Sequence, residues 1–252
     1  MESIVLKTAR ELGLMRQAGR VSARALREAG KAVEAGVSPA ELDRIARRVI
    51  ESEGAVPSFL HYQGFPAAAC ISVNDQVIHG IPGHRILKQG DIVSIDVGAY
   101  IGGFHGDNAA TFACGSVSPA AQALMDATKQ ALFAGIAAAC AGNRVGDISN
   151  AVQRYAEARG YSVVRQFVGH GVGASIHEAP EVPNFGEAGR GARLLPGTTI
   201  AIEPMVNAGS PDVIVQPDGW TTVTADGSLS AHFEHSIAVT PDGPVILTLP
   251  DD

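Results

Sequence analysis

Cysteine is scarce and unpatterned in this chain: Cys70, Cys114 and Cys140 are the only three among 252 residues. Their number is odd and no C-x-x-C pair occurs, which excludes a disulfide framework and a thiolate zinc knot and leaves reduced thiols as the expectation. A basic excess is lacking too. Lys and Arg number 19 against 26 Asp and Glu, a net charge of -7 that offers no electrostatic footprint for nucleic acid. The stretch MESIVLKTAREL carries charges of both signs and no uninterrupted apolar run, so neither a signal peptide nor a membrane span is expected there, and the cytosol is the expected compartment. No linker rich in proline, serine or charge interrupts the sequence. With 46% hydrophobic residues, it reads as one domain over residues 1–252.

The organisation that is present alternates helical and strand-like blocks. Thr8-x-x-Glu11 is a capping box opening a long helix, with Met15, Ala18, Ser22, Ala25 and Ala29 on one face and an end by Gly36. Ser38-Pro39-Ala40-Glu41 combines an N-cap, a first-turn proline and a capping glutamate. Leu42, Ile45, Ala46 and Val49 then give a second helix its apolar stripe up to Gly54. From about residue 57 to 115, short apolar runs punctuated by Gly and Pro predict antiparallel sheet. Ser118-Pro119 opens a third helix through Cys140, and Gly146-Asp147 precedes a fourth that ends at Gly160. Strand-like segments return from SVVRQFVGHGVG to HSIAVT and PVILTL. This order, helix, helix, sheet, occurs twice, which predicts an α+β fold built of two duplicated halves about a pseudo-two-fold axis. Two central sheets would then meet by their edges, with a ligand site between the halves.

Five polar residues stand out because their surroundings are apolar. Asp96 lies in DIVSIDV, Glu203 in TTIAIEPMV and Glu234 in SLSAHFEHSIAV, runs that otherwise read as half-buried or buried strands. Asp107 faces Asp96 across a reversal placed at Ala99-Tyr100-Ile101-Gly102-Gly103. His170 sits among glycines in Gly169-His170-Gly171-Val172-Gly173, with His177 seven residues on. Taken singly, each could cap a strand or sit at an edge. Together, several buried carboxylates require a common cation. Four carboxylates and one imidazole, with no thiolate, suit Mn, Fe(II), Co or Zn in a paired site. Two such ions roughly 3.5–4 Å apart activate a water for attack on an acyl carbon, so metal-assisted hydrolysis is the expected chemistry.

These residues fall in stretches that closely resemble the type I methionine aminopeptidases: HYQGFP (61–66), SVNDQVIHGIP (72–82), GDIVSIDV (90–97), GFHGD (103–107), VGHGVG (168–173), IHEAP (176–180), AIEPMVNAG (201–209), DGWT (218–221) and SLSAHFEHSIAVT (228–240). The resemblance spans the chain from first helix to last strand. It implies the pita-bread fold and removal of the initiator methionine from nascent chains with a small second residue. By matching motif, Asp96 would chelate one of two divalent ions, Asp107 and Glu234 would bridge them, and His170 with Glu203 would complete the coordination of the second ion. Glu203 would double as proton shuttle, while His79 and His177 would orient substrate and stabilise the tetrahedral intermediate. Phe59, Tyr62, Phe65, Cys70, Ile176 and Trp220 would line the methionine pocket, with Trp220 at its rim after the Asp218-Gly219 turn. Phe59 is larger, and Ile176 less aromatic, than the residues common in bacterial relatives, which bears on pocket shape.

A monomer is expected, since no sequence feature dictates an interface; transient contact with the ribosome is the expected partnership, and the acidic balance predicts no nucleic-acid specificity. The N-terminus is expected to lack the zinc-finger or proline-rich extension of some longer relatives. The rival readings are a proline-selective peptidase of the same fold and a binding module that has lost catalysis. Against the second, all five ligands are present together with His79 and His177. Because Glu2 is large and charged, such an enzyme is expected to leave Met1 on its own chain.

Overall fold

The computed structural model describes residues 3–250, so Met1 and Glu2, on which the expected retention of Met1 turns, lie outside the described residues. In chain order the first half holds α1 (Ala9–Lys31), α2 (Pro39–Ser52), β1 (Val56–Pro57), β2 (Ala69–Val73), β3 (Gln76–Ile78), β4 (Ile92–Ile101) and β5 (Phe104–Ala113). The second holds α3 (Pro119–Ala138), α4 (Val145–Glu157), β6 (Ser162–Val163), β7 (Gly169–Gly171), β8 (Glu178–Val182), β9 (Thr199–Ile202) and β10 (Met205–Asn207). It continues with β11 (Val213–Val215), β12 (Thr222–Thr224), β13 (Ser230–His232), β14 (Glu234–Thr240) and β15 (Gly243–Ile246).

Local chemistry accounts for the helix starts. At α1 the Glu11 carboxylate accepts from the Thr8 backbone N–H at 2.7 Å, and the Thr8 hydroxyl accepts from Glu11 N–H at 3.3 Å. At α2 the Glu41 carboxylate accepts from Ser38 N–H at 2.8 Å. Each such cap is worth about 1 kcal/mol. The fourth helix differs from expectation: it begins at Val145, so Gly146 and Asp147 lie inside its first turn. There the Asp147 carboxylate accepts from Arg144 N–H at 2.7 Å, making Asp147 the capping residue of the turn and not its prelude.

The two halves do not carry separate sheets meeting by their edges. Instead β5 and β14 pair directly, joining both halves into one nine-stranded sheet of order β1-β4-β5-β14-β9-β7-β8, with β2 on β4 and β15 on β14. Edge pairing satisfies backbone groups that two abutting sheets would leave open. Two three-stranded sheets, β13-β10-β6 and β11-β12-β3, flank it. The run expected as a strand from residue 162 is interrupted, because β6 pairs with β10 in a small sheet while β7 belongs to the large one.

Each half has its own apolar core beneath the sheet. Val93, Ile95, Val97 and Ala99 of β4 pack with Val21, Ala25, Leu42 and Ala46 of α1 and α2. Ile200 and Ile202 of β9 and Ile237 and Val239 of β14 pack with Leu124, Leu132, Ile148 and Val152 of α3 and α4. Since side chains alternate along a strand, the intervening residues of β4, β9 and β14 point to the other face.

Candidate active site

The five polar residues all lie on the sheet face away from the helices. In β4 and β5, Asp96 stands opposite Ala109 and Asp107 opposite Gly98, so the two aspartates are diagonal neighbours on one face. The reversal that brings them together is Gly102-Gly103 alone, both with positive φ, while Ala99 to Ile101 continue the strand. On the other side of β5, Glu234 of β14 also stands opposite Ala109. The small Ala109 side chain therefore lies between Asp96 and Glu234. Pairing of His235 with Ile202, carried on by one residue, sets Glu203 beside Glu234. Glu203 is not inside a strand, as the sequence suggested, but just past the end of β9, where Pro204 has no N–H to continue the ladder. His170 enters from β7, the next strand along. Five consecutive strands thus supply one potential ligand each.

The side chains converge. His170 Nε2 lies 3.4 Å from Glu203 Oε1 and 3.8 Å from Asp107 Oδ2. Ligand atoms of Asp107, His170 and Glu234 all fall within 4.8 Å of one another. Asp96 Oδ1, Asp107 Oδ1 and Glu234 Oε1 are buried with no hydrogen-bond partner. Burial raises the Asp96 carboxyl to about 7. It also pushes Asp107, Glu203 and Glu234 well above the usual carboxylate range, reinforced by their mutual charge. Burial, with the neighbouring His177, lowers His170 to about 3, so its imidazole is neutral and free to ligate. Orphaned buried oxygens beside a neutral imidazole are the donor set a divalent cation satisfies, and a cation would reverse the carboxyl shifts. The residues fit such an ion.

A cavity of about 220 Å³ opens onto this cluster. Phe59, Tyr62, Phe65, Cys70, His79, His177 and Trp220 line it, together with all five polar residues. Ile176 is not among the lining residues but is buried in one cluster with Phe59, Phe65 and Cys70. Trp220 is half-buried and meets the Phe65 ring edge-on at 5.2 Å, and the Asp218 carboxylate accepts from its N–H, as a rim position after a turn requires. Burial raises the Cys70 thiol, keeping it neutral as an apolar wall. The cavity end of β2 is anchored by Asp43, whose carboxylate accepts from Ala68 and Ala69 N–H at 2.9 Å each.

His79 holds a positive φ of 56°, a conformation few side chains adopt, and this aims its ring between Phe167 and Trp220. The following Gly80 has no room for a Cβ, which would run into the Ile71 carbonyl. Burial lowers His79 to about 4. His177 Nδ1 bonds the Tyr62 hydroxyl at 2.7 Å, and its ring meets His170 edge-on with centroids 4.2 Å apart. Sequence reasoning missed Phe167 and Val168 in the lining, and above all His232. His232 is 1% exposed, its Nε2 has no hydrogen-bond partner, and it lies 3.9 Å from Glu203 Oε2. The signal was available: His232 stands two residues before Glu234 in an extended run, hence on the same face.

A sheet-centred, acid-rich cluster of this kind suits a divalent metal, and the family model described as metallopeptidase family M24 matches residues 13–241, which makes the chain a metallopeptidase by class. The chain is 54% identical over 246 residues to methionine aminopeptidase of Clostridium perfringens, covering 98% of this chain and 99% of that protein. The solved methionine aminopeptidase of Rickettsia prowazekii superposes with a TM-score of 0.96 at 41% identity, over 98% of this chain and 100% of that one. Prolidase from Pyrococcus furiosus shares the fold alone, with a TM-score of 0.80 at 21% identity over 98% of this chain and 66% of that one. The chain belongs to the type I methionine aminopeptidases of family M24, and its fold is the family's pita bread.

Proposed function

We propose that this chain removes the amino-terminal methionine from newly made polypeptides with a small second residue, using two divalent cations held by Asp96, Asp107, His170, Glu203 and Glu234. The observation that carries this reading is the convergence of one ligand from each of five adjacent strands at the floor of an apolar cavity. When bound, the ions polarise the scissile carbonyl and lower the pKa of a water toward neutrality. Mn, Fe(II), Co and Zn all suit an oxygen-rich set with one imidazole.

Glu203 takes the proton from the attacking water and passes it to the leaving amine. His79 and His177 are neutral at pH 7, since burial lowers both, and so each can donate one N–H to the carbonyl oxygen as negative charge develops there. In the tautomer that donates from Nε2, the Nδ1 of His177 accepts from the Tyr62 hydroxyl 2.7 Å away. Phe59, Phe65, Cys70 and Trp220 wrap the thioether side chain, with Ile176 packed in the same cluster.

The setting proposed is the cytosol, with a monomer meeting nascent chains in transient contact with the ribosome. Among the described residues no helix is long and apolar enough to cross a membrane. The net charge of -7 disfavours nucleic acid as a partner. The described residues act as one catalytic unit because the site needs strands from both halves of the sheet. Release of methionine from Met-Ala-Ser by metal-stripped protein, before and after adding each metal and beside an Ala-Pro peptide, tests the reading. Metal-dependent cleavage of Met-Ala-Ser alone is expected. Cleavage of the Ala-Pro peptide would reassign the chain to proline-selective hydrolysis, and silence with every metal would leave a binding module.

A further inference from the structure

The proposed reaction makes no use of a buried ion pair outside the cavity, Lys7 with Glu178. The Lys7 ammonium lies 2.5 Å from Glu178 Oε2, with the two side chains only 3% and 15% exposed. The pair joins residues far apart in sequence, one just before α1 and the other at the start of β8. We propose that Lys7 is a positioning residue for the reaction: through Glu178 it holds the 173–178 turn, and with it His177, in place beside the cavity. This inference rests on the catalytic reading of His177 given above.

Lys7 is itself held at two further points. Its backbone N–H donates to Gly197 O at 2.7 Å, and its ammonium donates to Val5 O at 3.1 Å. Glu178 spends its second oxygen on the turn, Oε1 accepting from Ser175 N–H at 3.1 Å. The turn closes on itself through Gly173 N–H to Ser175 O at 3.0 Å and bonds β5 through His105 N–H to Gly173 O at 2.9 Å. Gly173 is the close approach that admits the pair, since a Cβ there would lie 2.5 Å from Glu178 Oε1 and 2.6 Å from Lys7 Nζ. His177 directly precedes Glu178 in the chain, so a shift of the Glu178 backbone moves the imidazole that bonds Tyr62 and packs on His170.

Removing the ammonium leaves a largely buried carboxylate with Ser175 N–H as its one remaining partner among the described residues. That carboxylate can be relieved by swinging toward solvent, which drags the turn with it. A pair that only anchored the segment before α1 would lower stability and leave kinetics alone.

The test compares wild type with Lys7→Met, Lys7→Arg and Glu178→Gln, loaded with the same metal and assayed on Met-Ala-Ser well below each melting temperature. A misplaced His177 acts on the transition state, so Lys7→Met is expected to lower kcat by about 10- to 100-fold while KM moves less than about threefold. Lys7→Arg should restore most of the loss. In metal-stripped protein, amides of 173–178 should exchange faster in Lys7→Met while those of α3 do not. If Lys7→Met does not fold, Glu178→Gln carries the same expectations, because it keeps the size and the acceptor for Ser175 while losing the charge. A folded variant with wild-type kcat, KM and exchange overturns the proposal. A wild type silent on Met-Ala-Ser overturns the catalytic reading instead, and the exchange comparison still judges whether the pair holds the turn.

Discussion

At the scale of single residues, the site is built from groups that solvent would not tolerate elsewhere. His79 combines a positive φ with a burial that lowers its pKa to about 4, and both cost free energy, as suits the neutral N–H donor proposed for it. Replacing it with alanine should lower kcat on Met-Ala-Ser by about 10²–10³ with little change in KM, because the donor is needed where charge develops and not for binding methionine. Steady-state kinetics at saturating metal checks this. Asp96, Glu203 and Glu234, proposed as metal ligands, stand out in the sequence because a carboxylate in an apolar run is conspicuous. His232 does not, because one histidine beside a conspicuous glutamate draws no notice until Nε2 is seen unpartnered 3.9 Å from Glu203. Ile176, expected in the pocket lining from its place in IHEAP, packs buried in one cluster with Phe59, Phe65 and Cys70.

At the scale of elements, the contact between α1 and β5 sets how closely the helix pair can cover the sheet beneath the site. Gly106 of β5 faces Gly19 of α1, and a Cβ at 106 would lie 2.6 Å from the Ala18 carbonyl carbon, against backbone that cannot move aside. Gly106→Ala is expected to destabilise the fold by about 1–3 kcal/mol or more, read as a lower urea midpoint at unchanged m. The helices were legible because caps and apolar stripes are local. Strand pairing was not: β6 and β7 follow one another in sequence yet join different sheets, and the joining of β5 to β14 depends on segments with no sequence signature for each other. For the same reason the sequence brought Asp96 and Asp107 together through a hairpin but could not show that Glu234 shares Ala109 with Asp96.

At the scale of the whole molecule, the buried titratable groups couple stability to pH and to metal. Asp96 rises from 3.8 to about 7, and Asp107, Glu203 and Glu234 rise well above their usual range. A carboxyl raised by folding contributes stability that is present at low pH and lost as pH climbs through its folded pKa. His170 and His232, lowered to about 3, and His79, lowered to about 4, act oppositely. Their contribution is present above 6.5 and lost as pH falls through those values. About one pH unit above 6.5 the imidazoles are neutral folded or unfolded, and the raised carboxyls dominate the slope. Metal-stripped protein should therefore melt at progressively lower temperature as pH rises from about 7.5 to about 8.5, and metal, by keeping the carboxylates ionised in the folded state, should remove that trend. Thermal scans of the two forms across this range check the sign.

Methionine release is proposed to depend on two divalent ions held on one face of the nine-stranded sheet. This claim is met most directly by titrating metal into stripped protein by calorimetry while following Met-Ala-Ser cleavage in the same samples, for wild type and Asp107→Asn. Asp107 is diagonal to Asp96 and within 4.8 Å of the His170 and Glu234 ligand atoms, so its loss should touch both ions. Wild type should saturate at about two ions per chain with cleavage rising alongside occupancy, and Asp107→Asn should lose both. Undiminished cleavage by stripped protein, or full metal binding by Asp107→Asn, would contradict the claim.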